Sequence, residues 1–291
     1  MAPGLLENEG MISMWTRAGA VLLWVGCTCS AADTVQQLTD DFFGKRASSA
    51  VASDVSAAEA LRLQEQFVAR LTTKLGGPIG YKVGLVTKEA QQKSGVTNPI
   101  RGVLLQRMLL PNRAEVAADY GVNPLVEADL IVSVRDRSIN NAATPLDVAR
   151  SLKEIIAFIE LPDSLIATNQ KVTGNLLTAV NVGARLGVQG ERLPIKATPE
   201  FVEALGKMTI TLSDGSGQEH GKATGSMILG NPLNAVLWLI EDLRKNGKQL
   251  QAGDLISLGS VKAVPPQPGQ TYTVRYDGLP GGPISVSVKM K

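Results

Sequence analysis

Glu127 and Asp129 stand two residues apart inside an apolar run, Leu125-Val126-Glu127-Ala128-Asp129-Leu130-Ile131-Val132. The run reads as a strand, and a strand sends residues i and i+2 to the same face. One face then carries Val126, Ala128, Leu130, Val132 and Val134, and the other Leu125, Glu127, Asp129 and Ile131. Acids with apolar neighbours on their own face look like the wall of a pocket that holds a cation. The alternative is a polar strand face with unrelated acids. Two carboxylates about 4 Å apart repel by about 4 kcal/mol at an effective dielectric of about 20, and a divalent cation removes that penalty. Glu160 ends the apolar run 155–161 ahead of Pro162 and is the candidate third acid. Three carboxylates with water and substrate oxygens suit Mg²⁺ or Mn²⁺.

Lys82 lies in a short apolar strand, Gly80-Tyr81-Lys82-Val83-Gly84-Leu85. It reads either as a surface lysine that snorkels to water or as a lysine beside the metal. In the second case burial and a neighbouring cation lower its proton affinity, so that it moves protons near neutral pH.

The remaining chemistry is bounded by what the chain lacks. Cysteine occurs only at Cys27 and Cys29, and histidine only at His220. Arg17, the apolar stretch 18–26 and the small residues through Ala32 have the layout of a secretory signal, with cleavage expected after Ala32. The apolar stretch is too short to span a bilayer as an ordinary helix. Cleavage would remove both thiols, and with them cysteine nucleophiles, Cys/His zinc sites and redox dithiols. It also predicts a secreted or periplasmic protein with no stable membrane span. His220 lies in Asp214-Gly215-Ser216-Gly217-Gln218-Glu219-His220-Gly221, which reads as a hairpin tip and the start of its return strand, and so as a surface residue. Catalysis is left to carboxylates, lysine, hydroxyls, water and a hard metal. The net charge of +2 is dispersed, with no basic stripe and interleaved aromatics, which argues against nucleic-acid binding.

The elements that must position these residues divide the chain into a signal segment at 1–32, a helical N-terminal region at 33–78 and a strand-rich body at 79–291. Residues 33–75 read as helical, with Ser56 and Glu59 at capping-box spacing. Thr87 to Ser94 suits a short helix, 111–124 a long connection, and Pro145 opens another helix capped by Thr144. Gly230-Asn231-Pro232-Leu233-Asn234 opens the clearest helix, with Asn231 as cap and Pro232 at its first position. Late strands fall at 255–258, 272–276 and 284–288. Helices and strands mix without regular βαβ alternation, so the expected class is α+β.

Seven short motifs then occur in a telling order. They are Gly80-Tyr81-Lys82-Val83-Gly84-Leu85, Pro99-Ile100-Arg101-Gly102, Val126-Glu127-Ala128-Asp129-Leu130, Ile159-Glu160-Leu161, Gly230-Asn231-Pro232-Leu233-Asn234-Ala235, Ala252-Gly253-Asp254 and Leu258-Gly259-Ser260. Over roughly residues 55–290 the chain resembles the fumarylacetoacetate hydrolase superfamily, in its 2-keto-4-pentenoate hydratase and 4-oxalocrotonate decarboxylase branch. The resemblance implies a mixed β-roll with a smaller helical N-terminal part, and a homo-oligomer. It implies a metal on Glu127, Asp129 and Glu160, an active-site lysine at Lys82, and a substrate-side hydroxyl at Ser260; a turn residue at a strand end is the alternative for Ser260.

The chain departs from the family pattern twice. Asp129 stands where the family usually has Glu, which shortens the arm by one methylene. The polar run at 173–181 is rearranged, leaving Asn175 or Asn181 as substitutes on the substrate side. The implied function is a Mg²⁺-dependent lyase acting on short 2-oxo or 2-hydroxydienoic acids, foremost a 2-keto-4-pentenoate hydratase-like enzyme. The alternatives are a 4-oxalocrotonate decarboxylase-like enzyme, an acylpyruvate hydrolase, and a secreted non-catalytic binder of small carboxylates.

Overall fold

The computed structural model describes Met1 and residues 31–291. The signal layout, with Arg17, Cys27 and Cys29, therefore lies outside the described residues, and the cut expected after Ala32 falls in the first turn of helix α1 (Ala31–Gly44). After α1 and α2 (Ala57–Leu75) come β1 (Pro78–Gly84), α3 (Lys88–Lys93), β2 (Ile100–Leu105), β3 (Leu109–Pro111) and β4 (Ala114–Val116). The middle of the chain supplies β5 (Val126–Val134), α4 (Pro145–Arg150), β6 (Leu152–Leu161), α5 (Gly174–Ala179), β7 (Leu186–Pro194) and α6 (Pro199–Lys207). The chain then runs through β8 (Thr209–Asp214), β9 (Glu219–Thr224), α7 (Leu233–Lys245), β10 (Leu255–Ser257), β11 (Lys262–Val264), β12 (Thr271–Asp277) and β13 (Ile284–Met290).

The fold is α+β, with two mixed sheets. The larger runs β2-β1-β10-β5-β6-β7-β3, with β11 also pairing β5, and the smaller runs β4-β13-β12-β8-β9. The acid strand β5 is thus central. The apolar face read from its sequence, Val126 to Val134, joins one core together with Tyr276, Val286 and α7 residues such as Leu239. Tyr276, fully buried on β12, sets its hydroxyl against the backbone carbonyls of Asp129 and Phe158, pinning the smaller sheet behind the acids.

The predicted helical stretch 33–75 is two helices. Gly44 ends α1, Lys45 turns to φ 51°, and Ser48 bridges to Ile166 before Ser56 caps α2 by accepting from the Glu59 amide at 3.2 Å. Backbone pairing with residues more than a hundred positions away thus overrides local helix propensity. The connection 111–124 likewise holds β4, which pairs in parallel with β13. The start expected at Pro232 falls one residue later: α7 begins at Leu233 with Pro232 in the cap position, and Asn231, just ahead of it, accepts from the Leu233 amide at 3.0 Å. Thr144 and Asp147 form a reciprocal capping box. His220 sits, as expected, at the start of the return strand β9; it is half-buried there and bonds Asp214 at 2.9 Å, bracing the hairpin. Hydrogen bonds from Ser216, and from His220, hold the Asp214 carboxyl down at about 2.

Two buried ties fix the N-terminal helices to the sheets. Gln64 on α2 donates to the carbonyls of Arg101 (2.7 Å) and Thr178 (3.0 Å). Arg185 donates to Tyr120 O (2.6 Å), Asp163 Oδ2 (3.2 Å) and Phe42 O (3.0 Å), and stacks its guanidinium 4.4 Å over the Phe42 ring. Among the described residues no helix is long and apolar enough to cross a membrane. Replacing Arg185 by Met leaves Asp163, 3 % exposed, as a buried charge without its cation. Arg185→Met is expected to lower the unfolding free energy by about 3–5 kcal/mol in urea titration, and a loss under about 1 kcal/mol would contradict the tie.

Candidate active site

In the β5–β6 ladder Glu127 lies directly opposite Glu160, and Asp129 directly opposite Phe158. Directly opposed residues place their Cβ atoms about 4.5–5.5 Å apart on one face of the sheet, where like charges destabilise the pair. The ladder therefore converts three acids scattered over 34 positions into one patch. Lys82 approaches from β1 and forms a close ion pair with Glu160, both under 5 % exposed. Its Nζ also donates to Val182 O at 2.9 Å. The snorkelling alternative for Lys82 is thereby excluded.

Val182 reaches the lysine through an unusual backbone. Asn181, Val182 and Gly183 follow one another at φ 56°, 54° and 65°. The left-handed region is costly for a β-branched residue, and such strain persists where the surroundings over-determine it. Here Asn181 is locked to both backbone groups of Val103 (2.8 and 2.9 Å), and this turns the next carbonyl toward Lys82. Gly102 leaves room for the lysine stem: a Cβ there would lie 2.8 Å from both Lys82 Cγ and Asn181 O.

Glu127, Glu160, Lys82 and Ser260 line one cavity of about 510 Å³, walled by Leu85, Val86, Leu125, Leu177 and Val182. Asp129 is treated differently by the fold. Its Oδ1 accepts from the amides of Leu130 and Gly259 (2.9 Å), and its Oδ2 accepts from Ser257 Oγ in a close contact. The carboxylate is thus a clamp on the turn 258–260, which carries Ser260 to the cavity beside Glu127. Ser260 Oγ itself donates to Lys262 O at 3.1 Å. Ser257 and Val182 carry no local sequence signal, and although Leu258-Gly259-Ser260 stands out as a motif, nothing in it announces that the Gly259 amide donates to Asp129. Asn175 and Asn181, expected as substrate-side groups, do not line this cavity. Asn175 bonds Val55 O at 3.0 Å, and Asn181 is consumed by Val103. His220 does not line it either.

Burial and the facing Glu160 push the Glu127 carboxyl up to about 8, against the opposing pull of Lys82. Burial and Glu160 push Asp129 up to about 7, against the hydrogen bond from Ser257. One lysine thus undercompensates three acids. Among the described residues no three acid, histidine or cysteine side chains already converge as a metal cage. The donor chemistry nevertheless fits a hard divalent cation. Glu127 and Glu160 open to the cavity, and Asp129 would contribute through an oxygen now held by Ser257 or Gly259.

A mixed two-sheet α+β body thus carries, on one wall of a cavity, a patch of oxygen donors with more negative than positive charge, which suits a hard cation. No family model matches the chain. A 2-keto-4-pentenoate hydratase of Dechloromonas aromatica is 30 % identical over 204 residues, 69 % of this chain and 74 % of that protein. A 4-oxalocrotonate decarboxylase of Pseudomonas putida is 27 % identical over 227 residues, 78 % of this chain and 84 % of that protein. The solved 4-oxalocrotonate decarboxylase from Pseudomonas putida G7, complexed with magnesium and adipate, shares the fold with a TM-score of 0.76 at 22 % identity, covering 90 % of this chain and 97 % of that one. The chain belongs to the fumarylacetoacetate hydrolase superfamily, in its 2-keto-4-pentenoate hydratase and 4-oxalocrotonate decarboxylase branch.

The unfolded chain titrates these two carboxyls near 4.5 and 3.8, the folded chain near 8 and 7. The folded state then binds more protons between about pH 4 and pH 8, so stability without a cation falls as pH rises through that window. Metal-free protein is expected to show a Tm that declines from about pH 5 to about pH 8, and Mg²⁺ to raise Tm more at the higher pH. A Tm flat with pH, and a Mg²⁺ response equal at both ends, would refute the undercompensated acid patch.

Proposed function

We propose that the protein is a divalent-cation-dependent hydro-lyase that adds water to a short 2-hydroxydienoic acid. The observation that carries this reading is the opposed pair Glu127–Glu160, with Lys82 seated on Glu160 at the wall of a cavity of about 510 Å³. Glu127 and Glu160, with Asp129 behind them, would hold the cation, taken as Mg²⁺. When bound, the cation supplies a Lewis acid for the substrate's carboxylate and C2 oxygen.

The chain's own groups do the rest. Lys82 Nζ, fixed by Glu160 and Val182 O, is placed to carry a proton from the C2 hydroxyl side to the distal carbon, C5. That shift leaves a 2-oxo-3-enoate. Water then adds its oxygen to C4 and a proton to C3, so the sum is one water gained. Ser260 and Glu127 face the cavity together and are placed to orient the incoming water. The apolar wall keeps bulk solvent from competing for these protons. The reading also includes export, on the strength of the residue 1–32 pattern, and assembly into a homo-oligomer, on the strength of the family.

Purified protein with Mg²⁺ and 2-hydroxypenta-2,4-dienoate is expected to consume the dienoate absorbance and form 4-hydroxy-2-oxopentanoate without releasing CO₂. Glu127→Ala and Lys82→Met are each expected to cut kcat by about 100-fold or more while the circular dichroism spectrum is kept. Turnover unchanged by both substitutions would remove the site assignment. Release of CO₂ from a 4-oxalocrotonate-type acid, with no hydration of the pentadienoate, would favour the decarboxylase instead.

A further inference from the structure

A second cavity, of about 570 Å³, lies between α2 and the β1–β2 pair. Tyr81 and Lys82 are consecutive on β1, so they point to opposite faces of the sheet. Lys82 lines the cavity of the acid patch, and Tyr81 lines the second one. The two cavities share no lining residue, and they differ in sign. The charged groups that line the first are Lys82, Glu127 and Glu160, an excess of acid. Those that line the second are Arg101, Lys248 and Glu65, an excess of base. Lys248 and Glu65 pair with each other in partly exposed positions, which leaves Arg101 as the distinctive charge.

Two buried side chains of this second cavity hold unused hydrogen-bonding capacity. Arg101, its side chain 3 % exposed, donates through Nε to Asp242 Oδ2 at 2.6 Å, and its guanidinium carbon lies 5.8 Å from the centre of the Tyr81 ring. Among the described residues no hydrogen bond engages its two terminal nitrogens. Gln64, 1 % exposed, donates through Nε2 to the carbonyls of Arg101 and Thr178. Those two acceptors fix which end of the amide is the nitrogen, and the Oε1 that remains is buried without a partner. A buried acceptor is costly to leave unmet, and such groups in native folds call for a partner from outside the chain. Val68, Ala69 and Val103 give the same cavity a hydrocarbon lining.

We infer that this cavity is a second ligand site, taking a short carboxylate that also carries a hydroxyl, with the carboxylate on the terminal nitrogens of Arg101 and the hydroxyl on Gln64 Oε1. The flat end of a guanidinium matches the two oxygens of a carboxylate, and Arg101 is already held in place through its Nε. A hydroxyl supplies the donor that Gln64 Oε1 lacks. A short alkyl stem gains from leaving water against Val68, Ala69 and Val103. A plain alkanoate leaves Gln64 unmet, and a diol leaves Arg101 unmet. The inference stands apart from the lyase reading, because it uses no residue of the acid patch.

The test is calorimetric titration of the wild-type protein near neutral pH in EDTA, where the acid patch has no cation to draw a carboxylate. The probes are lactate, 3-hydroxybutyrate and 4-hydroxybutyrate, with butyrate and 1,3-butanediol as controls. At least one hydroxy acid is expected to saturate a single site per chain with a Kd of about 1 mM or below. Both controls are expected to bind about ten-fold more weakly or not at all. Failure of all three hydroxy acids to saturate by about 10 mM overturns the inference, and so does butyrate that binds as tightly as the best of them. Ala69 is exposed on α2 and lines the cavity, so Ala69→Trp fills it at little risk to the fold. That variant is expected to weaken binding by about ten-fold or more at a Tm near wild type, and an unmoved Kd sinks the site assignment. Arg101→Met is expected to abolish binding, and wild-type affinity in the folded variant refutes the role of Arg101. If Arg101→Met unfolds, the wild-type series and Ala69→Trp decide the question.

Discussion

Two carboxylates facing each other across a buried antiparallel ladder form the constraint on which the rest of this structure depends. Glu127 and Glu160 are directly opposed, with Asp129 two residues further along the same strand face. Such an arrangement opposes folding unless positive charge is brought to it. Lys82 supplies one such charge from within the chain, seated on Glu160 with almost no solvent. The raised proton affinities of Glu127 and Asp129 record that one ammonium is too little. A site that holds this imbalance in place is ready to take a further cation and an anionic, oxygen-bearing substrate.

Much of the surrounding architecture keeps that imbalance in register. Tyr276 reaches from the smaller sheet to the backbone of Asp129 and Phe158, so the two acid strands cannot slip past each other without breaking the contact between sheets. Asp129 spends its oxygens on Ser257, Leu130 and Gly259, and so fixes the turn that presents Ser260. Gly259, at φ 105°, permits that turn; a Cβ there would strike Val86 and Val83 O. The strained stretch 181–183 does the same for the lysine, by turning the Val182 carbonyl onto its ammonium. Strain, clamp and inter-sheet contact act at three points around one cavity.

The legible part of the fold consisted of what is local. The period-two pattern at 125–134 gave the acid strand and the sharing of one face by Glu127 and Asp129. Thr144 and Ser56 were readable as caps because each side chain closes a helix within its own first turn. The break at 45–56 was not readable, since it exists through pairing with Ile166. Nor was β4, whose partner β13 lies at the other end of the chain. Asn175 and Asn181 looked available because they are polar. Their amides are taken by Val55 and Val103, residues no spacing rule connects to them.

Sequence alone determined the chemistry open to this protein. With cysteine absent beyond residue 29 and a single histidine, the acids, one well-placed lysine and hydroxyls were what remained. The ordered motifs tied them to a family. Residue type is a local property, and so it survives without coordinates. Tertiary structure alone decided how those groups are divided. It set Glu127 and Glu160 face to face, tied the Asp129 carboxylate to Ser257 and Gly259, and seated Lys82 on Glu160. Charge balance and the reach of a hydrogen bond depend on distances between strands far apart in the chain, and only the closed sheets set those distances.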